Sequence, residues 1–289
     1  MHKNRIVVAV ALAGLWACGS KSSGGTGPSA LPAPNSTIHY TALGASDAIG
    51  FGASTYCIPY EDCPGGKGYV HVAVRELRSR GFTVTLNNLG FPGSVLSRRI
   101  MTLGNQNGGS LATNFVDGQF PYIKFDATLV TIFAGANDVR AIISALNAGA
   151  GGADRVGFIN SQVTAFGQEF TAALNGVRER VPSARIAVLN LPNMGMMPFL
   201  SGASRDHRLA AQMLSVGITM EVYNPLASSG VVVIDLMCDA RSYQPSTYSS
   251  DGFHPSDVGY AWIAAEVVAA TTTTYRVPPA SCPQMTAVQ

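Results

Sequence analysis

The feature that most constrains this chain is residues 127–134, Ala127-Thr128-Leu129-Val130-Thr131-Ile132-Phe133-Ala134, a nearly unbroken apolar run that closes on Gly135. A strand with one wet face alternates apolar and polar residues. A strand without that alternation is covered on both faces, which implies a parallel sheet sheathed by helices. Residues 185–191 and 231–236 read in the same way, and residues 37–42 and 82–86 supply two further strands.

Helical spacing takes over between the strands. Residues 67–80 place Val70, Val74 and Leu77 on one stripe and stop at Gly81. Residues 155–180 form a long helix, broken or started around Gly157 and closed by Pro182. Residues 205–224 are helical, and residues 256–270 give a last helix with Trp262, Ile263 and Val267 available for one face. Strands that alternate with helices predict an α/β sandwich on a mostly parallel sheet. Hydrophobic residues make up 47% and charged residues 12%, enough to fill a single core over residues 36–289. The Gly/Ala patch at residues 148–153 is then a loop within that domain, and no internal repeat is present. Ligands in such folds bind beyond the carboxyl ends of the strands. Chemistry is therefore expected at Ser46, Gly93, Asn137, residues 192–195 and whatever follows Leu236.

The N-terminus reads as an export signal. His2, Lys3 and Arg5 precede an apolar stretch at residues 6–15 that is too short to span a bilayer, so residues 1–17 are expected to be cleaved. Leu15-Trp16-Ala17-Cys18 resembles the end of a bacterial lipoprotein signal, with Cys18 as the lipidated residue. An ordinary cleaved signal beside a stray cysteine is the alternative. Residues 18–35, rich in Gly and Ser and then stiffened by Pro28, Pro32 and Pro34, form a tether. Gly19 stands where an acidic residue would favour inner-membrane retention, so the outer membrane is expected.

Losing Lys3 and Arg5 brings the 19 basic residues level with the 17 acidic ones. A neutral protein has no electrostatic footprint for nucleic acid. Apart from Cys18, Cys57, Cys63, Cys238 and Cys282 remain for a compartment that permits disulfides. The expected pairing is Cys57–Cys63, a short local loop, and Cys238–Cys282, which would pin the tail. Metal binding is the weaker reading, because no CxxC spacing occurs and His39, His71 and His207 are scattered.

Four segments carry the candidate chemistry. They are Gly44-Ala45-Ser46-Asp47, Asn88-Leu89-Gly90-Phe91-Pro92-Gly93, Gly135-Ala136-Asn137-Asp138 and Asp251-Gly252-Phe253-His254-Pro255. Together and in this order they resemble the blocks of the SGNH hydrolases, the GDSL-like esterases and lipases. The resemblance implies a three-layer, flavodoxin-like α/β/α sandwich with a five-stranded sheet. It also implies a nucleophile at Ser46, oxyanion donors from Ser46, Gly93 and Asn137, and an acid–base pair at Asp251 and His254. Ala45 departs from the family, where an aspartate often precedes the serine, so no literal GDSL box is present.

The chemistry stands on its own as well. A serine hydroxyl attacks only when a base takes its proton. Histidine titrates near neutrality and suits that task. A carboxylate on its other nitrogen fixes the tautomer, and Asp251 lies one tight turn before His254. Two backbone N–H groups and the Asn137 amide would then meet the oxyanion. Taken singly, Ser46 reads as a helix cap, Asn137 as a turn residue, His254 as a surface histidine and Asp251 as a cap. Asp47 reads as a turn or helix-start residue. Met194, Met196 and Met197 line either an acyl pocket or a strand-end core cluster, and Asp239 and Arg241 are expected to pair with each other. There is no G-x-S-x-G elbow, P-loop or H-E-x-x-H helix. The expected activity is hydrolysis of acyl or acetyl esters by a monomer without cofactor or metal. The alternative is a surface-anchored lipid- or carbohydrate-binding lipoprotein without turnover.

Overall fold

The computed structural model describes residues 29–61 and 63–289. The expected signal at residues 1–17, Cys18 and the first part of the tether lie outside them. Among the described residues five strands form one sheet: β1 (Thr37–Leu43), β2 (Thr83–Asn88), β3 (Leu129–Ile132), β4 (Arg185–Leu189) and β5 (Val232–Ile234). Their order is β2-β1-β3-β4-β5. Every neighbouring pair runs parallel, so the sheet is wholly rather than mostly parallel. This is the flavodoxin-like doubly wound order, whose strand sequence reverses between β1 and β3 and opens a crevice there.

Among the described residues seven α-helices surround the sheet: α1 (Tyr69–Ser79), α2 (Arg98–Gln106), the single turn α3 (Phe115–Gly118), α4 (Ala136–Asn147), α5 (Arg155–Arg180), α6 (Arg205–Gly217) and α7 (Asp257–Thr272). Side-chain alternation decides which helix covers which face. Ile38, Tyr40, Ala42, Leu129, Ala187, Leu189, Val232 and Ile234 pack with α1 and α7. Leu43, Val130, Ile132, Ile186 and Val188 pack on the other side with α4, α5 and α6. Burying one such side chain contributes about 1.5–3 kcal/mol, so neither face can be left bare. The result is the three-layer sandwich.

Local chemistry explains the element ends. The Asp154 side chain accepts from the Gly157 N–H and starts α5, which then runs unbroken through Gly157. Ile159, Val163, Phe166, Phe170, Leu174 and Val177 form its buried stripe at helical spacing. The stretch expected as one helix over residues 205–224 changes gauge. It leaves α6 through a π-helical turn at Ile218–Tyr223 and a 3-10 turn at Asn224–Ser229. Pro225 lies in that last turn and has no N–H to continue an α ladder. β3 is shorter than its apolar run because burial extends past the paired residues: Ala127 and Ala134 are buried outside the ladder.

Both expected disulfides form, Cys57–Cys63 and Cys238–Cys282. The second ties the loop after β5 to the C-terminal tail. At the other end, the Ser29 carbonyl accepts from Arg185. Among the described residues no helix is long and apolar enough to cross a membrane.

Candidate active site

The turn after β1, the loop after β2, the start of α4 and the loop before α7 meet at the carboxyl edge of the sheet. Ser46 occupies the turn after β1 and is 7% exposed. No helix follows it, so it caps none. Its hydroxyl donates to Nε2 of His254 at 2.8 Å, across 208 residues of sequence. On the other side of the ring, His254 Nδ1 lies 2.6 Å from Oδ2 of Asp251.

Asp251 is tightly held. Its Oδ1 accepts from the backbone N–H of Phe253 and of His254 and from the Ser249 hydroxyl, each at 2.9 Å. Burial alone would raise this carboxyl, but the bonds from His254, Phe253 and Ser249 outweigh it and hold the group down at about 2. An ionised Asp251 cannot donate, so Nδ1 carries the ring proton and Nε2 is left to accept from Ser46. Gly252 (φ 69°) turns the chain between acid and base. Asp251 is not the cap of α7, a role taken by Ser256 through the Gly259 N–H.

Of the expected oxyanion donors, Ser46 and Asn137 line the cleft, and Gly93 immediately precedes Ser94, which lines it too. Asn137 is not a turn residue. It sits in the first turn of α4, and its Nδ2 donates to the Ser94 carbonyl at 3.1 Å. One amide proton thus anchors the side chain while the second remains for the cleft, which Asn137 lines beside Ser46 and His254. Among the described residues, neither the Ser46 nor the Gly93 backbone N–H meets an acceptor. Gly93 is required for its conformation: φ is 74°, in the left-handed region, while a Cβ there would meet nothing within 4 Å. Replacing Asn137 by alanine should lower kcat by about 10²–10³-fold with little change in KM, measured on a chromogenic short-chain ester.

Residues without a sequence signal hold these parts together. The fully buried Gln119 clamps the backbone two residues before Ser46. Its Oε1 accepts from the Gly44 N–H at 3.1 Å, and its Nε2 donates to the Gly44 carbonyl at 2.8 Å and to Ser94 Oγ at 3.1 Å. Asp138 accepts the Leu96 N–H at 2.8 Å and so joins α4 to the loop that carries Gly93. Burial pushes the Asp138 carboxyl up to about 7, against that hydrogen bond. Asp47 lies in the turn and on the cleft wall. Burial raises its carboxyl to about 7 as well, against nearby backbone N–H groups.

The cleft is mainly apolar, walled by Phe133, Leu191, Met194, Met197, Leu236 and Ile263. Of the three methionines, Met194 and Met197 line it and Met196 does not. Arg241 pairs with Asp239 at 2.6 Å, as expected, and also with Glu266. His71 Nδ1 stands 3.5 Å from Cys57 Sγ, whose sulfur is held in the disulfide rather than free to bind a metal.

Solved structures share this fold, two lipases among them. A lipase, Lip_vut3, from a goat rumen metagenome is 19% identical, with a TM-score of 0.56 over 82% of this chain and 98% of its own. An extracellular lipase from Streptomyces rimosus is 18% identical, with a TM-score of 0.53 over 82% of this chain and 100% of its own. No curated protein matches the chain. A family model does match, that of the GDSL-like lipase/acylhydrolases, over residues 42–262, from within β1 to within α7 and across the strand-end segments described above. The chain belongs to the GDSL-like lipase/acylhydrolase family.

Proposed function

We propose that this protein is a serine esterase that cleaves carboxylic esters of short acyl groups through an acyl-enzyme on Ser46. Family membership supports ester hydrolysis. The finer reading rests on the unbroken path from Ser46 Oγ through the His254 ring to the Asp251 carboxylate, at 2.8 and 2.6 Å. In the first step Ser46 Oγ bonds to the ester carbonyl carbon as its proton passes to His254 Nε2. The carbonyl electrons move onto oxygen, facing the N–H groups of Ser46 and Gly93 and the Asn137 amide. The carbon–oxygen bond to the alcohol then breaks, and the departing oxygen takes the proton back from Nε2. Water repeats the sequence on the acyl-enzyme and releases the acid.

Acyl length follows from the space beside Ser46. The cavity measures about 70 Å³. An apolar cavity of about 150 Å³ admits a benzene ring, so roughly half of that suits an acetyl- or propionyl-sized group. We also propose, from the sequence, that the protein is exported and anchored through Cys18.

A fluorophosphonate probe tests the chemistry. It should form a covalent adduct that peptide mass spectrometry maps to Ser46. Absence of the adduct, together with tight binding of lipid or carbohydrate, would instead indicate the binding module.

A further inference from the structure

We propose that Phe51 and Tyr56 form a fixed aromatic platform that holds the alcohol side of the ester, and that this alcohol is a pyranose. The proposal rests on the esterase reading above. Among the described residues, Phe51, Tyr56, Ile58 and Tyr60 are 41%, 57%, 59% and 61% exposed. Four exposed large apolar side chains within ten residues form a patch of the kind that marks a binding surface.

The patch is continuous with the catalytic centre. The Phe51 ring lies 4.7 Å from that of His254, centroid to centroid, and 5.5 Å from that of Tyr56. Direction follows from the mechanism. His254 Nε2 must return its proton to the leaving oxygen, so that oxygen lies on the imidazole side of Ser46. The acyl group turns the other way, into the cavity. Of the two rings against His254, Phe253 at 4.9 Å lines the cleft itself while Phe51 is exposed outside it, so an alcohol that leaves the cleft on the imidazole side passes over Phe51 towards Tyr56.

The rings stand on a rigid backbone. Tyr260 donates its hydroxyl to the Phe51 carbonyl at 2.7 Å, and Asp257 accepts from the Ser54 N–H at 2.8 Å. The Cys57 N–H reaches the Ile49 carbonyl and the Lys67 N–H reaches the Thr55 carbonyl, both at 2.8 Å. The Cys57–Cys63 disulfide closes the far end. Exposed rings already fixed in place lose little freedom when a ligand arrives, which is the condition for a preorganised site.

The chemistry of the patch selects the ligand. Residues 51–60 carry no charged side chain; Glu61 follows them, and Asp251, Asp257 and Lys67 stand beside them. One lysine among three carboxylates gives no net attraction for an anionic lipid surface. A pyranose fits better. Its C–H groups, polarised by neighbouring oxygens, face the negative ring face, while its hydroxyls stay in water.

The test compares full-length wild type, Tyr56→Ala and Tyr56→Phe on two acetates that share an acyl group: mixed monoacetates of methyl glucopyranoside, and ethyl acetate. Wild type should show the higher kcat/KM on the sugar acetates. The ratio of the two values should fall about three- to ten-fold in Tyr56→Ala and be kept in Tyr56→Phe, the scale of one aromatic contact. An unchanged ratio in Tyr56→Ala would overturn the platform and leave the esterase intact. So would weaker adsorption of that variant to phosphatidylcholine vesicles with no change in the ratio, which would assign the patch to lipid. Hydrolysis of neither acetate by wild type would overturn the esterase reading and the platform together.

Discussion

Replacing Ser46 by alanine is expected to lower kcat on a short-chain ester by about 10⁴–10⁶-fold and to leave the chain folded. The size of the effect comes from losing the covalent route. Without Oγ no acyl-enzyme forms, His254 has no hydroxyl to deprotonate, and only the oxyanion donors remain to assist direct attack by water. Folding should survive because little structure depends on that atom. The Ser46 hydroxyl has one partner, His254 Nε2, and the His254 side chain is 14% exposed, so water can take the vacated bond. The turn itself is held by the backbone, through the Phe51 N–H to the Ser46 carbonyl at 2.9 Å and the Gln119 clamp on Gly44. The measurements are initial rates and a thermal melt on the same preparation. A rate within ten-fold of wild type, with an unshifted melt, would remove Ser46 from the reaction.

Much of this arrangement is legible in the sequence, and the reason is physical. A strand covered on both faces has to be apolar throughout, so the β3, β4 and β5 runs announce the parallel sheet. The parallel sheet in turn directs attention to the strand ends, where Ser46, Gly93 and Asn137 sit. Helices were less legible where burial is sparse. α2 buries only Ile100 and Gly104 along nine residues, too few to show a period. α4 was hidden because it begins inside the Gly135-Ala136-Asn137-Asp138 segment, which resembles a turn. Its Gly135 is indeed left-handed (φ 108°), yet the next residue is already helical.

Some contacts between distant segments left no sequence trace at all. Gln119 reaches Gly44 over 75 residues, and nothing in its own neighbourhood marks it as a clamp. The tilted contact of the Phe51 ring with that of His254 spans most of the domain. At Gly93 the backbone angle, rather than a crowded Cβ, calls for glycine.

Replacing Asp251 by asparagine should lower kcat by about 10³–10⁴-fold near neutral pH and leave the turn in place. Asparagine keeps an oxygen for the Phe253 and His254 N–H groups, so the geometry around His254 survives. Its amide, however, would donate where the carboxylate accepts. His254 Nδ1 must then become the acceptor and Nε2 the protonated nitrogen, which can no longer take the Ser46 proton. The pH dependence separates this account from a loss of fold. Asp251 is held at about 2 in the folded chain, below its unfolded value, so it contributes stability above the unfolded pKa that is lost as pH falls through the folded one. Wild type should therefore lose melting temperature between about pH 4 and pH 2 through this group, and Asp251→Asn should lose less over the same window. At pH 7 the two melts should lie close together, because the carboxylate is partly exposed and solvent screens its pairing. A variant as active as wild type would show that Asp251 neither orients His254 nor fixes its tautomer. An inactive variant with a collapsed melt would instead make Asp251 a structural residue of the turn.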